Sequence, residues 1–151
     1  MRGVLIVAMA LAGCSQDAPP VVARAKGGVL VFDVPPTGKS ARDCITGVAV
    51  FAEDSGLLAT PELGDDREAV EAGDYWRATS AAKGQCVGNL PIRYGSASST
   101  TVKPKPLRVG AAYTVALAEG QSEYRSGRFR ITADKRVENL SNASGETPDA
   151  R

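Results

Sequence analysis

Apolar and polar residues alternate in several short segments after residue 28. The pattern is clearest in 112–119, where apolar side chains fall at every second position, and in 126–132, where Phe129 and Ile131 alternate with two arginines. Alternation of this kind predicts β-strands with one face in a core. The predicted strands are 28–34, 46–54, 75–80, 86–94, 112–119 and 126–132.

Several short strands separated by turn residues predict an all-β domain over 28–140, a small antiparallel β-sandwich of the immunoglobulin-like kind. Pro91 should reduce 86–94 to an edge strand or to two short pieces. The one helix candidate is 65–72, which opens with the spacing of a capping box. The end of the chain, 141–151, lacks large apolar residues and is predicted to be a disordered tail.

The first 14 residues have a different pattern. Arg2 precedes an uninterrupted apolar run over 4–11, which is shorter than the about 20 residues that a spanning helix needs and fits the core of a signal peptide. The run ends in Leu-Ala-Gly-Cys at 11–14. This sequence resembles the lipobox of bacterial lipoproteins.

The resemblance implies that the Cys14 thiol carries a lipid and that a peptidase cleaves between Gly13 and Cys14. Residues 1–13 would then be removed, and 14–27 would form the lipidated cysteine with a flexible tether. Ser15 after the cysteine implies the outer membrane of a Gram-negative cell, with the domain facing the periplasm. The membrane is therefore an expected partner, through the lipid on Cys14.

Composition narrows the function further. The chain has 18 Lys and Arg against 17 Asp and Glu, and cleavage removes Arg2, so the mature chain has no formal net charge. This balance argues against a general nucleic-acid binder. The chain contains no histidine, which excludes Ser-His-Asp and Cys-His hydrolases as well as His-ligated zinc sites.

Three cysteines are an odd number for an exported protein. With Cys14 used by the lipid, Cys44 and Cys86 remain, and an oxidising periplasm favours a disulfide between them. The alternative is a pair of unlinked, buried thiols.

The segment 106–117 is similar to the approach to the sixth strand of fibronectin type III domains. Leu107, Gly110 and Tyr113 match that pattern, and Val115 and Leu117 continue it. The resemblance implies a tyrosine corner, in which the tyrosine hydroxyl bonds back to the preceding loop. It supports an immunoglobulin-like sandwich in general rather than membership of one family.

Three further stretches carry candidate chemistry. The acidic run 62–74 could bind Ca²⁺ or supply a pair of catalytic carboxylates, but its spacing fits no EF-hand and a solvated surface is the simpler interpretation. The sequence 33–40 ends like a P-loop but has Asp33 where the first glycine belongs, so a turn is predicted there. Arg128 and Arg130 would share one strand face, which could meet an anionic envelope component or simply be solvated.

Together these features predict an envelope lipoprotein that acts as a binding or structural module, with no cofactor and no metal. An accessory subunit of an envelope assembly is the first alternative. A lipid-anchored hydrolase that uses two carboxylates is the second. The sequence names neither a small-molecule ligand nor a protein partner.

Overall fold

The computed structural model describes residues 20–35, 44–55, 73–120 and 123–141, and these residues form an all-β fold. A short 3₁₀ helix, Glu53–Ser55, follows the third strand. The strands in chain order are β1 Val22–Lys26, β2 Val29–Asp33, β3 Cys44–Ala52, β4 Asp74–Thr79, β5 Gly88–Asn89, β6 Ile92–Arg93, β7 Thr100–Val102, β8 Ala112–Glu119, β9 Glu123–Ile131 and β10 Val137–Leu140.

The strands form two antiparallel sheets. The small sheet has the order β1-β2-β6, and the large sheet has the order β10-β9-β8-β3-β4-β7, with β5 pairing with one end of β3. Side chains from both sheets form one buried core. The predicted antiparallel sandwich is therefore confirmed.

The core lies where the alternating pattern placed it. Tyr113, Val115 and Leu117 of β8 are fully buried, as is Phe129 of β9. The ring of Phe129 lies 5.4 Å from that of Phe32 in the small sheet, so aromatic packing joins the two sheets. Burying large side chains on alternate positions stabilises each strand only in this register, because a slip of one residue would turn them to solvent.

Pro91 divides its segment into two pieces, as predicted. The piece before it, β5, pairs with β3 of the large sheet, and the piece after it, β6, pairs with β2 of the small sheet. The chain therefore crosses between the sheets at Pro91. Just beyond the crossing, the Tyr94 hydroxyl lies 2.9 Å from the carbonyl oxygen of Tyr75 and 2.8 Å from that of Lys105, and burial raises the pKa of this tyrosine above its usual range.

The domain begins earlier than the sequence pattern indicated. The expected tether over 14–27 is wrong for its last part, because β1 pairs along its length with β2 and both Val21 and Ala23 are buried. Gly27 and Gly28 connect the two strands with φ angles of 58° and 78°. Two consecutive positive φ angles define a type I′ hairpin turn, which glycine adopts without strain.

Candidate functional site

The chain enters the domain beside β9. The lipobox residues Gly13 and Cys14 lie outside the described residues, which begin at Pro20. The backbone N–H of Val21 donates to the carbonyl oxygen of Ser126 at 3.0 Å. At the next residue, Gly127, an added Cβ would lie 1.9 Å from the Val21 oxygen. Only glycine permits this approach, so the start of the domain is fixed against the large sheet a few residues after the proposed anchor.

The side chain of Asn139 in β10 also bonds to the start of the domain, at β1. Its side-chain oxygen accepts a hydrogen bond from the Ala23 N–H at 2.8 Å, and its side-chain nitrogen donates to the Ala23 oxygen at 2.9 Å. The amide thereby occupies backbone groups of β1 that would otherwise be open for pairing. The β1 edge of the small sheet is joined to the large sheet at two points, Ser126 and Asn139.

Cys44 and Cys86 form the predicted disulfide, with 5.2 Å between their Cα atoms. Cys44 opens β3, and Cys86 lies two residues before β5, which pairs with the start of β3. The bond therefore reinforces the point where β5 joins the large sheet.

The Tyr113 side chain, at the start of β8, bonds back to the segment that precedes the strand. Its hydroxyl accepts a hydrogen bond of 2.7 Å from the backbone N–H of Arg108, five residues upstream. Leu107 packs against the core, and Gly110, with a φ of 83°, donates its N–H to the Ile131 oxygen at 2.8 Å. These contacts fix the segment that leads into β8.

Arg128 and Arg130 project from the same face of β9, as the pattern predicted, but they do not form an open cationic face. The Arg128 guanidinium makes two bonds with the Glu53 carboxylate, at 2.6 and 2.8 Å, and a third with the Ser141 carbonyl oxygen at 2.6 Å. Arg130 pairs with Glu138 at 2.7 Å. The expectation that these two side chains present free charge to an anionic partner is therefore wrong, because carboxylates from elsewhere in the chain neutralise both.

The ion pair between Arg128 and Glu53 shifts the pKa of the carboxyl group. The hydrogen bond from Arg128 lowers the pKa of Glu53 below its ordinary value, and the bond from Thr114 at 3.2 Å acts in the same direction. Both partners are mostly buried, with 29% and 26% of their side chains exposed. The pair joins the 3₁₀ helix after β3 to the middle of β9.

Arg128→Ala is expected to destabilise the domain more than Arg130→Ala. The first removes charge-assisted bonds in a mostly buried site, worth about 1.5–3 kcal/mol in free energy of unfolding, and the second removes an exposed pair worth at most about 1 kcal/mol. Because the pKa of Glu53 is lowered in the folded state, this stabilisation is complete above pH 4.5 and is lost as the pH falls through the lowered value. Urea unfolding at several pH values should therefore show the Arg128→Ala deficit shrinking in acid. An equal deficit for both variants, or one that does not change with pH, would contradict this assignment.

A second ion pair lies on the outer face of the large sheet. Asp74 and Arg77 are in contact, and only 4% of each side chain is exposed. Burial raises the pKa of Asp74 although Arg77 acts to lower it. Desolvation therefore outweighs the attraction of Arg77 in its effect on the pKa of Asp74.

The outer face of the small sheet carries cations that sequence analysis did not single out. Arg24 of β1 and Arg93 of β6 lie on either side of Val31 of β2 in the sheet register, and Lys26 lies beside Val29. All three basic residues are exposed. The glycine pair at 27–28 was the available signal, since two glycines between two strand-like runs predict a hairpin, but assigning 14–27 to a tether concealed it.

The comparisons and the remaining candidates add no further site. No protein-family model, no curated protein and no solved structure matches this chain. Nearly all of the acidic run 62–74, the helix candidate 65–72, and residues 36–40 of the P-loop-like stretch lie outside the described residues. Within the described ranges, no three metal-ligating side chains come together. No helix in that part of the chain has the length and hydrophobicity to cross a membrane.

Proposed function

We propose that this protein is a lipid-anchored envelope lipoprotein whose β-sandwich acts as a binding or structural module at the periplasmic side of the outer membrane. The observation that carries the proposal is the closeness of the lipobox to the domain. Among the described residues, Val21 is the first that bonds to the sandwich, and it lies seven residues after Cys14, at the end of the spacer 15–21. A lipid on Cys14 would therefore hold the domain within about 25 Å of the membrane, the span of seven extended residues.

The charged side chains favour a module over the alternative of a carboxylate-dependent hydrolase. A hydrolase of that kind needs two carboxylates that face each other across a cleft, one of them free to accept a proton. In the described residues, six carboxylates each lie against an arginine instead: Glu53, Asp54, Asp74, Glu119, Asp134 and Glu138. Each of these six carboxylates is engaged by an arginine, which argues against the free pair of carboxylates that such a hydrolase needs.

We also infer that the sandwich is immunoglobulin-like. In immunoglobulin domains the first, second and fifth strands lie in one sheet, and the third, sixth and seventh lie side by side in the other. The order β1-β2-β6 in one sheet and the adjacency of β3, β8 and β9 in the other correspond to that arrangement. The Tyr113 hydroxyl bond at the start of β8 supports the same inference.

Replacing Cys14 by alanine tests the anchor. Without the thiol no thioether can form, so the variant should accumulate unprocessed or leave the membrane fraction, and it should no longer incorporate labelled fatty acid. The matched control is Cys44→Ala with Cys86→Ala, which removes two cysteines but leaves the lipobox intact and should stay lipidated. Normal processing and attachment of the Cys14→Ala protein would refute the proposal.

A further inference from the structure

We propose that the outer face of the small sheet, carrying Arg24, Lys26 and Arg93, rests against anionic headgroups of the membrane that holds the lipid on Cys14. This inference rests on the proposed lipid anchor and specifies how the anchored domain is oriented. Three observations carry it: the charge on this face, the pairing of arginines elsewhere, and the position of β1 directly after the spacer.

The first observation is the charge on the face. Arg24 and Arg93 flank Val31 across three strands, and Lys26 lies opposite Val29. Val29 is 39% exposed, whereas Val31 is only 6% exposed, as expected if the long aliphatic stems of the two arginines cover it. Cations around a small apolar centre suit a headgroup layer, which offers phosphates above hydrocarbon.

The second observation is that these three cations form no ion pair with another described residue. The one carboxylate in the strands of the small sheet, Asp33, lies on the same face two residues from Val31 and accepts a hydrogen bond from the Val34 N–H at 2.9 Å, so the face has three positive charges against one negative charge. Arginines of the large sheet and its loops are paired instead, for example Arg108 with Asp54 at 2.8 Å and Arg130 with Glu138 at 2.7 Å. Exposed lysines without an ion pair also occur elsewhere among the described residues, at positions 83, 103 and 135, but the small sheet carries the described arginines that form no ion pair.

The third observation is geometric. The spacer leads directly into β1, which carries two of the three cations. β1 spans about 13 Å, and the seven spacer residues from Ser15 to Val21 reach about 25 Å when extended, so the spacer is long enough for the sheet to lie flat on the surface. A Lys or Arg contributes to binding an anionic leaflet only within about a Debye length, about 8–10 Å. The anchor therefore allows these three cations to come within that range.

The test uses two exposed valines of the lipidated, full-length protein. Val29 lies on the proposed contact face. Val109 lies in the loop before β8 and forms a β-bridge with Ile131. Ile131 is five residues along β9 from Ser126, which bonds to Val21. Val109 is 55% exposed, so it is at least as accessible as Val29. A photoreactive residue would replace each valine in turn, and the protein would be reconstituted into vesicles of phosphatidylcholine with or without phosphatidylglycerol.

We expect the probe at position 29 to form lipid adducts several-fold more often than the probe at 109 in the anionic vesicles. The ratio should approach one in high salt and in phosphatidylcholine alone. Changing Arg24, Lys26 and Arg93 to glutamate should abolish the preference, since each cation near an anionic leaflet is worth roughly a five-fold change in binding. The matched control reverses Lys83, Lys103 and Lys135, which are exposed on other surfaces, and should retain the preference.

Two failures can be told apart. Equal adduct yields at positions 29 and 109 on an attached protein would overturn the proposed orientation but not the anchor. The same holds if both charge-reversed variants lose the preference for position 29 equally. Protein that does not stay with the vesicles at all would overturn the anchor, and the orientation with it.

Discussion

Asp74→Ala is expected to lower the free energy of unfolding by about 3–5 kcal/mol, the usual cost of leaving one charge of a buried pair without its partner. Asp74 contacts Arg77, and each side chain is 4% exposed. One terminal nitrogen of Arg77 already has no hydrogen-bond partner. Arginine does not give up its proton to escape burial, so the variant would retain an isolated cation on the outer face of the large sheet.

The pair itself is not a net source of stability. Burial raises the pKa of Asp74 despite the contact with Arg77, and replacing a whole buried ion pair by apolar side chains of similar volume usually costs little. The double change Asp74→Leu with Arg77→Met should therefore recover most of the loss, within about 1 kcal/mol of the original protein. Equilibrium unfolding in urea measures all three.

The matched control is Asp54→Ala. Asp54 also pairs with an arginine, Arg108, but 61% of the Asp54 side chain and 53% of the Arg108 side chain are exposed. Water compensates for the missing charge there, so the effect should be at most about 1 kcal/mol. A similar loss for Asp54→Ala and Asp74→Ala would show that burial is not the cause.

Removal of the Cys44–Cys86 bond is expected to lower stability by about 2–5 kcal/mol. The bond closes a loop with a sequence separation of 42 residues, and on the chain-entropy model a loop of this length restricts the unfolded state by roughly 4 kcal/mol. The closed loop spans β3 and β4, so its release affects the unfolded ensemble of nearly a third of the chain. Reduction of the folded protein and the double variant Cys44→Ala with Cys86→Ala should give similar results.

Loss of the disulfide should leave lipid attachment unchanged, because Cys14 lies in a separate part of the chain. Thermal unfolding with and without reductant measures the first effect, and fatty-acid labelling measures the second. A reduced protein that melts at the same temperature as the oxidised one would contradict the expected stabilisation. A reduced protein that loses its label would contradict the assignment of the lipid to Cys14.

The sequence by itself determined which side chains face the core, where one strand is interrupted and which cysteines are linked. Alternation in β3, β8 and β9 predicted which side chains point inward, because a strand has a strict two-residue period and large apolar side chains are stabilised only on the buried face. Pro91 predicted the break between β5 and β6, since proline cannot donate to a ladder. The cysteine count indicated the disulfide once Cys14 was assigned to the lipid.

Only the tertiary structure decided which strands pair with one another and which charged side chains form ion pairs. The sequence of β1 contains few large apolar residues, and it becomes a strand because Ala23 pairs with Phe32 and bonds to Asn139, which is 116 residues away. Arg128 and Glu53 are 75 residues apart in sequence, and no periodicity relates them. The charge pattern of a strand shows which side chains point away from the core. The fold determines which oppositely charged residue each of them contacts. The same reason separates the paired arginines of the large sheet from the unpaired cations of the small one, and so locates the face that we expect at the membrane.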